Sequence, residues 1–136
     1  MTKPKTRKVV MVGSSNFPLD AGITSQVVEV LQGFPPDTLI LTRGSDGLDQ
    51  FIMSATQVLG FRCFTYPAAG GADNWNRDVE MVRDGTEVHA FLSLEDFERA
   101  DRMTGTYHVI EKALDQKRPT TAYVAIDGQL IAAGET

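Results

Sequence analysis

The stretch Val9-Val10-Met11-Val12-Gly13-Ser14-Ser15-Asn16 decides the fold. Four apolar residues in succession, with no polar alternation, read as a strand covered on both faces, and Gly13 ends it. Leu39-Ile40-Leu41, closed by Gly44, and Val88 to Leu92 have the same character. Phe61 to Tyr66 is an aromatic-rich strand, and Thr121 to Ile126 is the fifth in chain order.

Helical spacing fills the gaps. Ile23 to Gln32 carries Val27, Val28, Val30 and Leu31, and Gly33 stops it before Pro35-Pro36. Leu48 to Leu59 repeats Phe51, Ile52, Ala55 and Leu59 at the helical period, with Gly60 after it. Trp75 to Arg83 is a shorter helix ending near Gly85, and Thr106 to Gln116 places Val109, Ile110, Ala113 and Leu114 on one face. Leu94 to Met103 is charged and mixed, and reads as a small helical insertion serving as a lid or partner surface. Asp127-Gly128 signals a hairpin turn, with Gln129 to Ala132 returning as an edge strand. Alternating strands and helices imply right-handed crossovers. The expected fold class is α/β: a Rossmann-like three-layer αβα domain over 1–136, with a mostly parallel five-stranded sheet and a C-terminal β-hairpin. Met1 to Arg7 is expected to fray.

Composition limits the function. The net charge is −5, which disfavours nucleic acid as a partner. One cysteine, Cys63, and two distant histidines, His89 and His108, do not make a zinc set. No metal and no cofactor are expected. The basic start is followed by no long apolar run, so neither a signal peptide nor a membrane span is expected. With a lone cysteine, this fits a cytoplasmic location.

In an open parallel sheet, ligands bind beyond the carboxyl ends of the strands, where the strand order reverses. Four loops lead there. The first holds Gly13, Ser14 and Ser15, either a close backbone approach to phosphate or sugar, or a tight turn with solvated serines. The second holds Arg43, Gly44, Ser45, Asp46, Gly47 and Asp49 at the start of a helix. Asp46 and Asp49 there are helix caps, or carboxylates facing ligand hydroxyls, and Arg43 is a phosphate contact or a solvated side chain. The third leads to Asp73, Trp75, Asn76 and Arg77, with Trp75 as a stacking surface or a packing anchor. The fourth comprises Ser93 and then Thr104, Gly105 and Thr106 before the last helix, a hydroxyl-rich start suited to an anion and equally to capping.

In this order, the motifs resemble the SLOG superfamily, the Rossmann-like group that includes lonely-guy cytokinin-activating proteins, DprA-like proteins and small YspA/YpsA-like proteins. The YspA-like branch is the nearest. The resemblance rests on Gly13-Ser14; Gly44, Gly47 and Asp49; Tyr66-Pro67-Ala68; Asn76-Arg77 with Met81; and Gly105-Thr106, and it spans Val9 to Val124. It implies a nucleotide or nucleotide-derived ligand. Besides Met103 and Thr104 before Gly105, two positions depart from the pattern. Ser15 stands where the family often has Arg, so Arg43 or Arg77 would supply the cation. Val109 stands where the lonely-guy enzymes carry their glutamate, with Glu111 two residues late on another helix face.

Three functions follow. The first is a sensor or sequestering module for a nucleotide-like small molecule. The second is a nucleotide N-glycosidase or deoxyribosyltransferase, with Glu80, Asp49 and Asp73 as candidate carboxylates, Arg77 on phosphate, and His108 a weaker acid–base candidate. The third is a ligand-free interaction protein, with a homodimer as one outcome of its strand edges.

Overall fold

The computed structural model describes residues 6–67, 73–99 and 105–135. The elements, in chain order, are β1 (Lys8–Gly13), α1 (Ala21–Gln32), β2 (Leu39–Thr42), α2 (Leu48–Leu59), β3 (Arg62–Thr65), α3 (Asp73–Asp84), β4 (Glu87–Ser93), α4 (Leu94–Glu98), α5 (Gly105–Asp115), β5 (Thr120–Ile126) and β6 (Gln129–Glu135). The frayed start expected for Met1 to Arg7 falls largely outside the described residues. So do Thr104, the loop residues 68–72 and most of the insertion beyond Arg99, whose described part is the single turn of α4.

The sheet has six strands, not five, in the order β3-β2-β1-β4-β5-β6. The first five in that order pair in parallel, and β6 pairs antiparallel with β5. The hairpin is therefore part of the sheet. Its turn uses Asp127 at φ 49° and Gly128 at φ 76°, the left-handed pair a two-residue hairpin requires. The return strand runs past Ala132 because a register shift between Ala122 and Tyr123 absorbs an extra residue and pairing resumes at Gly134.

Strand periodicity sorts the side chains into two layers. On one face, Val9, Met11, Ile40 and Phe91 pack against Ile23, Val27 and Leu31 of α1 and Leu48, Ile52 and Ala55 of α2. On the other, Val10, Val12, Leu41, Val88 and Ala90 meet Met81 and Val82 of α3 and Val109 and Ala113 of α5. Each fully buried side chain of this size contributes about 1.5–3 kcal/mol, so both faces of β1 are held firmly. The reversal of strand order falls between β1 and β4.

Helix ends follow from local chemistry. α1 starts at Ala21, two residues before the expected Ile23, because Asp20 caps it: its carboxylate accepts from the Ile23 N–H at 3.0 Å. At the opposite end of the sheet from the strand carboxyl ends, a polar and aromatic cluster closes the fold. Arg7 donates to Glu87 at 2.7 Å and lies over the Phe34 ring, while His89 contacts Glu87 at 2.9 Å and the Tyr123 hydroxyl at 2.8 Å.

Candidate functional site

The carboxyl ends of β1, β2 and β4 are fastened to one another by polar contacts. The Ser14 N–H donates to the Phe91 carbonyl at 2.9 Å, and the Ser93 N–H donates to the Ser14 hydroxyl at 3.3 Å. These two bonds bridge β1 and β4 at the switch point. Ser14 is thus buried and structural rather than solvated, while Ser15 is exposed. Ser93 is buried too, and its hydroxyl caps α4 by accepting from the Asp96 N–H at 3.1 Å.

Gly13 is needed for packing. A Cβ there would lie 2.4 Å from Cδ2 of Leu48, the first residue of α2. The small residue lets α2 sit directly against the end of β1, a sufficient reason for glycine without any ligand. Gly47, at φ 88°, precedes α2, and a Cβ on it would lie 3.1 Å from the Ser15 carbonyl oxygen. The loops after β1 and β2 therefore touch through backbone.

Asp46 and Asp49 do not cap α2. Its N-cap is Gly47, with no side-chain cap bond, and Asp46 is exposed. Asp49 points inward, 1% exposed. One carboxylate oxygen accepts from the Gly13 N–H at 2.9 Å and the other from Arg43 Nε at 2.9 Å. Arg43 also donates through Nη2 to the Gly13 carbonyl at 2.9 Å. Arg43 is consequently buried, not solvated, because two groups, the Gly13 carbonyl at the end of β1 and the Asp49 carboxylate at the start of α2, need its donors. Burial pushes the Asp49 carboxyl above its ordinary value; Arg43, the Gly13 N–H and the charge of Arg77 pull it back only in part. Ser45 supplies its carbonyl to the Gln50 N–H at 3.1 Å. Gly44, at φ 72°, turns the chain beside Met53.

The last helix starts against this cluster. A Cβ on Gly105 would stand 3.2 Å from Arg43 Nη1, so the guanidinium reaches the N-terminal end of α5. Thr106 is buried in its first turn. The starts of α2 and α5, with their positive dipole ends, thus converge beside Arg43.

On the α3 side, Arg77 donates through Nε and Nη2 to one oxygen of Asp78, at 3.1 and 2.9 Å. The other Asp78 oxygen is 2.9 Å from His108 Nδ1. Trp75, half-exposed in the first turn of α3, meets the His108 ring edge-to-face at 3.7 Å between centroids. Neither the Asp78–His108 pair nor the role of Asp78 was legible from sequence. The two residues are thirty positions apart, and only the packing of α3 on α5 joins them.

The expected site residues thus divide. Gly13, Ser14, Arg43, Gly47, Asp49, Ser93 and Gly105 form one connected set, and Arg77 and Trp75 form a second with Asp78 and His108, the latter on the helix that starts at Gly105. Asn76 is exposed and Glu80 faces away, its side chain 58% exposed and 3.9 Å from Arg83. The side chain of Asp73 lies outside the described residues. Among the described residues, no group of three or more His, Cys, Asp or Glu side chains is placed to hold a metal ion, and no helix is long and apolar enough to cross a membrane. Compared with protein-family models and with curated proteins, the chain matches none of them.

Proposed function

We propose that the protein binds a phosphate-bearing nucleotide or nucleotide-derived molecule at the carboxyl ends of β1, β2 and β4, as a sensor or sequestering module. The observation that carries this is the place of Arg43. Its guanidinium is fixed by Asp49 and Gly13 and has Nη1 beside Gly105, where the starts of α2 and α5 converge at the switch point of the sheet. Helix N-termini with a fixed guanidinium between them favour an anion, and the half-exposed Trp75 offers a surface for a flat ring. The single cysteine fits the reducing cytoplasm in which such metabolites abound.

Holding rather than cleaving is the reading the geometry favours. Both oxygens of Asp49 are engaged within the fold, and Glu80 is turned to solvent. Thermal melting with AMP, ADP-ribose and cyclic nucleotides tests the proposal. A ligand at about 100 times its Kd stabilises by about 2.7 kcal/mol, a rise of roughly 8 °C for a domain of this size. No rise with any member of the panel contradicts the proposal.

A further inference from the structure

Arg77 stands apart from ordinary surface arginines. Its side chain is only 12% exposed although it sits in the first half of α3, packed against α5 through Asp78 and His108. Two of its nitrogens are held by a single oxygen of Asp78, and Nη1 makes no hydrogen bond among the described residues. The second Asp78 oxygen is occupied by His108. Because a carboxylate only accepts, His108 Nδ1 is the donor in this contact. The imidazole thus fixes the carboxylate, and the carboxylate fixes the guanidinium. Trp75 closes over the imidazole and shields the contact from water, which strengthens it.

We propose that Asp78 and His108 are positioning residues for Arg77, and that Arg77 and Arg43 form a two-arginine clamp for the phosphate end of the ligand. This rests on the nucleotide-binding reading above and narrows it to ligands with a phosphomonoester or pyrophosphate group. Arg43 reaches the start of α5 from the β2 side, and Arg77 is tied to the same helix from α3 through Asp78 and His108. Each arginine is held by its own carboxylate, so the guanidiniums are oriented before the ligand arrives, and less ordering is needed on binding. Tying Asp78 through His108 to α5 also links the clamp to the helix whose start faces the same anion.

The full-length chain is titrated with AMP and with adenosine, and the ratio of the two affinities is compared among wild type, His108→Leu, Asp78→Asn and His108→Asn. His108→Asn keeps a donor at the Nδ1 position and serves as the rescuing variant. The NMR signal of the Arg77 Nε–H is followed in parallel in the ligand-free proteins. The expected result is an AMP preference that falls about tenfold in His108→Leu and Asp78→Asn, as loss of a charge-assisted contact predicts, and is kept in His108→Asn. The Arg77 Nε–H signal should broaden in His108→Leu and persist in His108→Asn. AMP preference and Arg77 signal both unchanged in His108→Leu overturn the positioning role while leaving nucleotide binding intact. Absence of AMP binding by the wild type overturns the ligand class itself, and the clamp with it.

Discussion

Arg43 and Asp49, six residues apart, form a buried ion pair at 2.9 Å that ties the loop after β2 to the end of β1. The pair sits where a ligand is expected, yet its bonds are spent on the fold. Breaking it from one side strands a charge in the interior. Asp49→Ala should destabilise by about 3–5 kcal/mol, measured by urea unfolding. Replacing both partners with apolar residues, as in Arg43→Met with Asp49→Leu, should be much milder. A double variant as unstable as Asp49→Ala would show that the pair itself, and not the stranded arginine, carries the stability.

Gly13 and Leu48 make a steric pair. Gly13→Ala puts a Cβ 2.4 Å from Leu48 Cδ2, and overpacking of this kind costs about 1–3 kcal/mol. Adding Leu48→Ala opens the space, so the double variant should be less destabilised than the sum of the singles. Strict additivity would mean that Gly13 is required for something other than the seat of α2.

Acid should loosen the cluster of Arg7, Glu87 and His89. Burial pushes the Glu87 carboxyl up, but hydrogen bonds from His89 and Arg7 and their charges outweigh it and hold it below its ordinary value of 4.5. A carboxyl depressed in the folded state contributes stability above its ordinary value and loses it as pH falls through the folded one. Asp49, raised by burial, acts in the opposite sense, its contribution shrinking as pH rises from 3.8. Glu87→Gln should therefore flatten the loss of stability below about pH 4.5, followed by thermal melts across pH. An unchanged acid limb would exclude Glu87 as its source.

Asp20 caps α1 through the Ile23 N–H. Asp20→Ala should cost about 1 kcal/mol, and Asp20→Ser should recover most of it. Equal stability of the two variants would show that the cap contributes little to the folded chain.

Much of the architecture was legible in the apolar runs. Val9 to Val12, Leu39 to Leu41 and Val88 to Leu92 are continuous because both faces of those strands are covered, and that continuity signals a parallel sheet with helices on either side. The sixth strand runs past the expected Gln129 to Ala132 because a bulge carries the pairing on to Gly134, and such a bulge has no sequence signature. At the site, the loops were legible and their internal chemistry was not. Gly13 and Asp49 read as ligand-facing or capping residues, whereas their positions are set by Leu48 and Arg43, contacts that exist only once α2 is seated on β1. The Asp78–His108 contact depends on α3 lying beside α5, which sequence spacing cannot express.

In the proposed function, the starts of α2 and α5, around Arg43, receive the phosphate of a nucleotide-like ligand. Backbone amide chemical shifts followed during a titration with AMP should then show saturable changes concentrated at Gly13 to Ser15, Gly47 to Asp49 and Gly105 to Thr106, with the Trp75 indole signal moving alongside them. Shifts confined to another face, or none at all, would contradict it.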